Sequence, residues 1–448
     1  MKAPALALAA LVALATPAVA APAPQPAETP IAYVVRQGDN LYTLAQRYLI
    51  QLNDYKRVRT ASGVRNVRAL RVGSTLKIEP QLLRFEPIEA RLVAVSGAVT
   101  LQDARGGSAP AVRDAQVFEG QRLITGANSF ATFQLADGSR VTLPSNSRMR
   151  IVQMRRLLLD GSLQRLFELE SGRSGVSATP AENAGSQFRV RTPLSVTAVR
   201  GTEFRVVHAE AGDRSATEVI EGLVGVGVGV GAAATASPET SVKAAFGVTA
   251  GAQGINEPSA LLPAPDLAPG GAVQEDPQLR FAARPAEGAI SYRFQLANDA
   301  GFVDIFAEGD SQDGQAAFPS VRDGTYFVRL TALDRNGLEG LPSVYSFDRT
   351  LNVLEPGAPP QPEGDRKMRR FLFRWNATGE GVRTYRFQLS TDPQMKTFTV
   401  DQPGLTEPQA TVTNLAAGAW YWRVVSIRYK DGAFTQKLGP VQQLRIGQ

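Results

Sequence analysis

Several side chains on which catalytic and metal sites commonly depend are absent or nearly absent from this 448-residue chain. It contains no cysteine and a single histidine, His208. Disulfides, thiolate zinc sites, iron–sulfur clusters and cysteine nucleophiles are therefore excluded, as is any site that needs two imidazoles. The sequence leaves carboxylate, Lys or Ser chemistry, oxygen-ligated metals, or binding without catalysis.

Long hydrophobic runs are also scarce. One apolar run, ALALAALVALA at residues 5–15, follows Met1 and Lys2 and precedes the triplet Ala18, Val19 and Ala20. This order is typical of a secretory signal peptide, so we expect residues 1–20 to be removed by cleavage after Ala20. A membrane anchor is the alternative, but the run is too short to cross about 30 Å of hydrocarbon.

No later stretch of the sequence approaches the roughly 18 apolar residues of a membrane span, so the mature chain is expected to have no transmembrane segment. Residues 21–32 are rich in Pro and Ala and predict an extended spacer. An exported protein without cysteine fits a bacterial periplasm, with association to the cell wall as a further expectation. At about 100–200 residues per domain, the length predicts two to four domains.

Residues 33–80 have the pattern of a small βααβ domain. A short strand at residues 33–35 and a turn at residues 38–40 precede an amphipathic helix at residues 41–48. A second helical stretch near residues 54–60 leads to a turn and a closing strand that ends at Ile78.

This segment resembles the LysM domain through YVVRQGDNLYTLAQRY at residues 33–48 and LRVGSTLKI at residues 70–78. The resemblance implies binding of N-acetylglucosamine-containing glycans, chiefly peptidoglycan, between the loop after the first strand and the loop before the second. Ser62 and Val72 replace the usual Asn and Pro, and the alternative is a packing module whose groove no longer binds. The implied groove residues are Gly38, Asp39, Asn40, Leu41, Leu70, Arg71 and Val72.

The positive charge of the chain is concentrated in this region. Residues 36–84 contain ten cations and three anions, a local net charge of +7, whereas the whole chain carries +6. Nucleic acid is the generic partner of such a patch, but an exported protein meets peptidoglycan stems, lipopolysaccharide or a membrane surface instead. We therefore expect no nucleic-acid partner. A solvated helix face is the alternative explanation.

Residues 88–250 alternate between apolar and polar positions and are punctuated by Asp-Gly turns, which predicts an all-β domain. Three segments resemble the FecR domain: FQLADGSRVTLPSNSRMRI at residues 133–151, FELESGRSGVSA at 167–178 and RTPLSVTAVRGTEFRV at 191–206. FecR proteins relay a receptor signal through a membrane span to a sigma factor. Because this chain starts instead with a signal sequence and a LysM-like module, we do not expect that relay function to transfer.

The motif Arg200, Gly201, Thr202 and Glu203 is a candidate site within that domain. It has the composition of an oxyanion site, but it also suits a buried Arg–carboxylate pair at a glycine bulge, and we favour the structural role. His208 lies nearby without a partner constellation for catalysis.

Two similar segments follow, at residues 272–353 and 365–448. YRFQL occurs at residues 292–296 and again at 385–389, and other matches keep the same offset of 93 to 94 residues. The alternating pattern is similar to immunoglobulin-like or fibronectin type III sandwiches. Arg329 and Arg423 occupy matching positions, where we expect solvent-facing side chains.

Six aromatic residues of the last segment form either a sugar-stacking platform or a core. Alternation places Trp420 and Trp422 on one face of a strand and Tyr421 on the other, which favours core packing. The six are Phe371, Phe373, Trp375, Trp420, Tyr421 and Trp422.

The sequence thus predicts a mainly β multidomain chain: a small LysM-like βααβ domain, an all-β FecR-like domain and two tandem β-sandwiches. The favoured function is a non-catalytic periplasmic protein that binds peptidoglycan and presents its other domains to envelope proteins, without metal or cofactor. One alternative is a periplasmic sensing component of a FecR-type system. Another is an envelope glycan-processing enzyme, for which no candidate carboxylate pair is found.

Overall fold

The computed structural model describes residues 30–181, 183, 185–229, 239–364 and 369–447. The expected signal peptide and nearly all of the spacer lie outside these residues. The described chain divides into two compact units, one that ends at Leu83 and one that starts at Arg84. Within the described ranges, no helix is both long enough and apolar enough to cross a membrane.

The first unit is a two-stranded antiparallel sheet with two short α-helices. Strand β1 starts earlier than the sequence pattern predicts, because Ile31 pairs with Ile78 and is buried. The predicted βααβ order is confirmed. The elements are β1 (Ile31–Val34), α1 (Leu41–Tyr48), a 3-10 helix (Leu52–Asp54), α2 (Tyr55–Ala61), β2 (Thr75–Ile78) and a second 3-10 helix (Pro80–Leu82).

The apolar face of α1 anchors this small core. Leu41, Leu44 and Ala45 lie at i, i+3 and i+4 and are all buried. They share the interior of the unit with Val58 of α2 and Leu76 of β2. Each fully buried aliphatic side chain of this kind contributes about 1.5–3 kcal/mol, so a few such contacts hold the helices on the sheet.

The second unit starts with a closed barrel of strands that are antiparallel except for one parallel pair. Its strands run from β3 to β21. They are β3 (Phe85–Pro87), β4 (Ala90–Ser96), β5 (Val99–Gln102), β6 (Ser108–Pro110), β7 (Gln116–Val117), β8 (Arg122–Thr125), β9 (Phe130–Leu135), β10 (Arg140–Leu143), β11 (Arg148–Leu157), β12 (Leu163–Ser177), β13 (Gln187–Arg191), β14 (Ser195–Val199), β15 (Glu203–His208), β16 (Ser215–Glu221), β17 (Leu223–Val228), β18 (Thr240–Lys243), β19 (Phe246–Gly251), β20 (Gly254–Ile255) and β21 (Ser259–Ala260).

The long strand β12 belongs to both sheets of the barrel. Its first half pairs with β11 and β13, and its second half pairs with β10 and β15. The change occurs at Gly172, which has a φ of +87° and whose Cβ, if present, would lie 2.6 Å from Ser147 Cα. Only glycine suits that backbone and that close approach. Between the sheets, Phe167 packs against Phe133 and Phe188 at centroid distances of 5.5 and 5.3 Å.

Two β-sandwiches follow the barrel. In the first, the sheet β22-β28-β27-β24-β25 packs against the pair β23-β26. In the second, β29, β30, β31 and β34 form one sheet, and β32, β33, β35, β36 and β37 form the other. The strands are β22 (Val273–Gln274), β23 (Leu279–Ala282), β24 (Ser291–Ala297), β25 (Ile305–Ser311), β26 (Gln315–Phe318), β27 (Gly324–Leu333), β28 (Ser343–Arg349), β29 (Val353–Pro356), β30 (Pro362–Glu363), β31 (Arg370–Thr378), β32 (Val382–Ser390), β33 (Val400–Leu405), β34 (Gln409–Thr413), β35 (Gly418–Lys430), β36 (Ala433–Leu438) and β37 (Gln442–Ile446).

The repeat seen in the sequence is also a repeat of strand register. In the first sandwich Gln295 pairs with Arg329, and in the second Gln388 pairs with Arg423. The predicted core of the second sandwich is confirmed, since Phe371, Phe373, Trp375, Trp420 and Trp422 are all buried. Tyr421 is only half-buried, as the alternation predicts.

The two sandwiches are joined by polar contacts at their boundary. The buried Arg428 of the second sandwich donates to the carbonyl oxygen of Leu351 at 2.9 Å and to Thr350 Oγ1 at 2.8 Å. Lys430 Nζ lies 2.5 Å from Asp323 Oδ2 of the first sandwich. Side-chain hydrogen bonds and an ion pair therefore connect the two sandwiches in addition to the chain itself.

The barrel meets the first sandwich through apolar contacts. Phe130 of β9 is 2% exposed and packs with Ala297, Phe302 and Ile305 of the sandwich. Beside it, Thr132 Oγ1 donates to the carbonyl oxygen of Val303 at 2.7 Å.

A buried charge network extends this junction. Glu339, in the loop between β27 and β28, accepts hydrogen bonds from Arg173 at 2.9 Å and from Arg205 at 3.2 Å. The N–H of Glu339 donates to Glu218 Oε1 at 2.8 Å, and Glu218 Oε2 accepts from Arg205 Nε at 2.8 Å. Both carboxylates are buried, so their pairing is what allows the two domains to close over them.

The arginines also determine the protonation state of Glu339. Burial by itself would raise its pKa, but the attraction of Arg205, Arg293 and Arg173 outweighs burial and holds the pKa well below its ordinary value of 4.5. The carboxylate therefore remains ionised at neutral pH.

We predict that Glu339→Gln lowers the free energy of unfolding by about 3–5 kcal/mol, because it removes the carboxylate shared by Arg173 and Arg205 and leaves Arg173 without one. Urea denaturation measures the change. The matched control is Asp401→Asn, which removes the partner of Arg386 at an exposed pair of the second sandwich. A loss no larger for Glu339→Gln than for this control would contradict the role given to the network.

The same network predicts a pH dependence. The folded-state pKa of Glu339 is below its unfolded value, so its contribution is fully present above about pH 4.5 and is lost as pH falls through the folded-state pKa. The difference in unfolding free energy between wild type and Glu339→Gln should be constant from about pH 7 to 5 and shrink below that. Urea denaturation at a series of pH values measures it, and a difference that grows on acidification would contradict the prediction.

Candidate functional site

The two loops expected to form a groove in the first unit lie side by side. The N–H of Val35 donates to the carbonyl oxygen of Ser74 at 2.8 Å, and the N–H of Gly73 donates back to Val35 at 2.9 Å. The N–H of Leu41, at the start of α1, donates to the carbonyl oxygen of Val67 at 3.0 Å. These bonds bring residues 38–41 and 70–72 to the same end of the unit.

Two of the predicted groove residues use their side chains to build the first loop. The Asp39 carboxylate accepts hydrogen bonds from Tyr33 Oη at 2.8 Å and from the N–H of Arg36 at 2.7 Å. Asn40 caps α1 by accepting the N–H of Thr43 at 2.8 Å. Desolvation, followed by the hydrogen bond to Asp39, raises the pKa of Tyr33, so this phenol stays protonated. Asp39 and Asn40 thus hold the loop in shape.

The remaining predicted groove residues differ in exposure. Leu41 is 1% exposed, so its side chain belongs to the core and only its backbone is near the groove. Leu70 is half-buried, whereas Gly38, Arg71 and Val72 are exposed, Val72 by 60%. Gly38 has a φ of +88° and no atom within 4 Å of a Cβ position. The surface therefore offers backbone groups, one guanidinium and one small apolar side chain.

The first unit is strongly basic on its surface. One ion pair connects its described residues, Arg57 with Glu79 at 2.6 Å. The other cations are exposed, and they include Arg71 in the second loop. The exposed cations are Arg36, Arg47, Lys56, Arg57, Arg59, Arg65, Arg68, Arg71 and Lys77.

In the barrel, the motif at residues 200–203 has a structural glycine. Gly201 has a φ of +86°, and a Cβ there would lie 2.6 Å from Pro180 Cα. The carbonyl oxygen of Thr202 accepts the N–H of Ala178 at 3.0 Å, and the strand register shifts at Glu203. The favoured bulge is therefore present. The expected buried Arg–carboxylate pair is not formed by Arg200, which is exposed and has no ion pair with any described residue.

The buried pair in this part of the barrel lies just beyond the motif, at Arg205 and Glu218, and sequence reasoning missed both. Arg205 alternates with the core residues Phe204 and Val206, so it points to the outer face of β15. Glu218 lies in β16 between Thr217 and Val219 and is fully buried. A glutamate inside the otherwise uncharged run at residues 215–220 was the signal available in the sequence.

His208 is part of the barrel wall. It is 4% exposed, and its Nδ1 lies 2.9 Å from Ser215 Oγ, which lies 2.7 Å from Thr192 Oγ1. Burial lowers the pKa of His208, which favours the neutral imidazole. Among the described residues, no group of three or more His, Asp or Glu side chains is placed to hold a metal ion.

The prediction for Arg329 was wrong in one respect. It lies on the outer face of its sheet, as alternation predicts, but the barrel covers that face and the side chain is half-buried. Arg329 donates to Gln295 Oε1 at 2.6 Å and lies 4.4 Å from the centroid of the Phe302 ring. Arg423 makes the matching contacts with Gln388, at 2.8 Å, and with the Phe398 ring, at 5.6 Å.

Comparison with known proteins matches two parts of the chain to families. Residues 33–79 match the model of the LysM domain, and residues 121–225 match the model of the FecR protein family. No curated protein sequence matches the chain.

Solved structures with related architecture are distant. A candidate anti-sigma factor from Parabacteroides distasonis is 21% identical with a TM-score of 0.25, over 31% of this chain and 59% of its own. A two-domain fibronectin type III segment of chicken tenascin is 11% identical with a TM-score of 0.22, over 42% of this chain and 99% of its own. The fibronectin(III)-like modules of Clostridium thermocellum CbhA are 12% identical with a TM-score of 0.19, over 41% of this chain and 94% of their own.

The basic βααβ unit and the barrel with its glycine bulge are therefore the parts that have recognisable families. The chain is a mainly β multidomain protein that contains a LysM domain and a FecR domain, followed by two β-sandwiches.

Proposed function

We propose that this protein is a non-catalytic component of the cell envelope that binds peptidoglycan through its LysM domain. The observation that carries the proposal is the LysM match over residues 33–79 together with the two adjoining loops of that unit. Exposed backbone at Gly38, the guanidinium of Arg71 and the apolar surface of Val72 suit a glycan, which presents hydroxyls, amides and apolar ring faces.

The charge of the first unit supports the same partner. Its cations are exposed and mostly free of ion pairs within the described chain, and peptidoglycan carries carboxylates on its peptide stems. Export is supported by residues 1–20, which have the three regions of a signal peptide cleaved after Ala20. The site of action that we propose is the periplasm.

A binding role rather than an enzymatic one is supported by the families found and by the buried position of the single histidine. LysM and FecR are binding or regulatory domains. His208 is enclosed in the barrel wall with hydroxyl neighbours. In this proposal, the barrel and sandwiches present surfaces to other envelope proteins.

We predict that the mature protein sediments with purified peptidoglycan sacculi and that a variant lacking residues 33–80 stays in the supernatant. Within the full chain, Arg71→Glu should weaken binding about tenfold or more, the effect of losing one charge-assisted hydrogen bond and adding a repulsive charge. Co-sedimentation over a range of sacculus concentrations measures both effects.

The matched control is Arg59→Glu, which makes the same change of charge on the exposed surface of α2, outside both loops. It should retain most of the binding. Equal weakening by the two charge reversals would show nonspecific attraction and overturn the groove assignment. Equal sedimentation of the deletion variant and the full chain would overturn the LysM role altogether.

A second candidate function is periplasmic sensing, in which the FecR domain reports the presence of a partner to a membrane regulator. The FecR match over residues 121–225 favours it. We predict in that case that the immobilised mature protein recovers a specific integral membrane protein from solubilised envelopes, as identified by mass spectrometry.

The control for that experiment is a chain lacking residues 33–80, which retains the FecR domain and should recover the same membrane protein. Recovery of wall components alone, without a membrane protein, would count against sensing and leave the structural wall-binding function.

A further inference from the structure

A cavity of about 300 Å³ lies where the barrel and the first sandwich meet. Strands β10, β12 and β15 of the barrel form one side, and β24, β27 and the loop at residues 300–303 of the sandwich form the other. This volume is at the lower end of the range of about 300–1,000 Å³ that small-molecule sites occupy.

The polar wall of the cavity is dominated by guanidinium groups. It contains five arginines and two glutamates, Glu203 and Glu339. Carboxylates already pair with Arg173, Arg205 and Arg293. The other two arginines, Arg140 and Arg329, have no ion pair with any described residue.

Arg329 is held in the cavity by neutral groups. Its Nε and Nη2 donate to Gln295 Oε1 at 3.0 and 2.6 Å, and the Phe302 ring lies against it. Burial lowers the pKa of Arg329 to about 10, because desolvation and the neighbouring Arg205 and Arg293 outweigh the attraction of Glu339 and Glu203. These carboxylates compensate the cation only in part, and neither forms an ion pair with it.

Arg293 is the second cation with unused hydrogen-bonding capacity. Its side chain is 7% exposed, and its Nη2 donates to Glu308 Oε2 at 2.7 Å. Its buried Nε and Nη1 have no hydrogen-bond partner, since Nε lies 3.9 Å from Asp310 Oδ1 and Nη1 lies 3.9 Å from Glu339 Oε2. Buried donors are normally satisfied, so these two point to a missing acceptor.

Part of the remaining wall is apolar. Val207 of the barrel and Phe302, Ile305 and Val344 of the sandwich line it. A fully hydrated inorganic ion would leave this surface without contacts, whereas a molecule with an apolar part would cover it.

We propose that this cavity binds a small organic anion, with a carboxylate or phosphate group at Arg329 and Arg293 and an apolar part against Phe302 and its neighbours. The guanidinium fork suits either oxyanion, since both accept two parallel hydrogen bonds. Arg329, Arg293 and Phe302 belong to the sandwich, and Arg140 and Val207 of the barrel line the opposite side, so the ligand would contact the barrel and the sandwich together. This site is separate from the glycan groove and does not depend on it.

The second sandwich provides a matched control, because it has the same arrangement of arginine, glutamine and carboxylate on a more exposed face. Arg423 with Gln388 repeats Arg329 with Gln295, and Arg386 with Asp401 repeats Arg293 with Glu308. There, however, the side chain of Arg386 is 45% exposed. Arg423→Met therefore measures the effect of losing an arginine at the same strand position, in a sandwich where no anion site is proposed.

The experiment is isothermal titration of the full mature chain with sodium benzoate and with sodium phosphate, with sodium chloride at the same ionic strength as the reference. We expect saturable binding of at least one probe. Arg329→Met should weaken it about tenfold or more, the contribution of a charge-assisted hydrogen bond, and Arg423→Met should change it by less than about twofold. Binding of benzoate identifies a carboxylate ligand, and binding of phosphate alone identifies a phosphorylated one.

A second variant distinguishes a loss of binding from a loss of folding. The Arg140 side chain has no hydrogen bond or ion pair with a described residue, so Arg140→Met should keep the melting temperature of the free protein and still weaken binding. No heat beyond that of chloride for either probe, or equal weakening by Arg329→Met and Arg423→Met, would overturn the proposal.

Discussion

The carboxylate of Glu339 is the constraint around which the second unit is arranged. It is 4% exposed and accepts hydrogen bonds from Arg173 and Arg205 of the barrel and from Thr331 of its own sandwich. A buried carboxylate without such partners costs several kcal/mol, so the loop that carries it is stable only when the barrel is docked. Apolar contacts around Phe130 add buried area to the junction. The ion pairs determine how the two domains are aligned, because Arg173 and Arg205 each bind a different oxygen of the Glu339 carboxylate.

The comparison between the two sandwiches shows what this junction adds. Both have an outer sheet face with an Arg–Gln–Arg row and a carboxylate from the neighbouring strand. In the first, Arg293 is buried, and in the second, Arg386 is exposed. The same row of polar side chains thus lies at a domain interface in the first sandwich and on the exposed surface in the second. The difference comes from the barrel that covers the first copy.

The functions proposed for the two units follow different physical rules. In the first unit, a small core of buried aliphatic side chains supports loops whose polar side chains, Asp39 and Asn40, are used to fix the loops themselves. The proposed attraction of an anionic polymer to its exposed cations acts over a distance set by ionic strength. In the second unit, Arg293 of the proposed anion site is buried, so its pairing has to be specific. Recognition in that proposal depends on which hydrogen-bond donors remain without an acceptor.

Local sequence patterns account for the secondary-structure elements and most of the cores. The i, i+3, i+4 spacing of Leu41, Leu44 and Ala45 predicted α1, and alternation placed Trp420 and Trp422 in the core of the second sandwich, because periodicity reports which side of an element faces its own domain. The bulge at Gly201 was favoured because a glycine between two strands commonly marks one, and the φ of +86° agrees with that local reading.

What covers the opposite side of an element follows from how the barrel and the first sandwich dock. Arg205 and Arg329 both lie on outer faces of their strands, where alternation predicts solvent, and both face another domain instead. The partner of Arg205 is Glu339, which is 134 residues away in the chain. Local periodicity contains no information about contacts at that separation, because such contacts form only when one complete domain docks against another. The charge network and the cavity therefore exist only in the assembled barrel and sandwich.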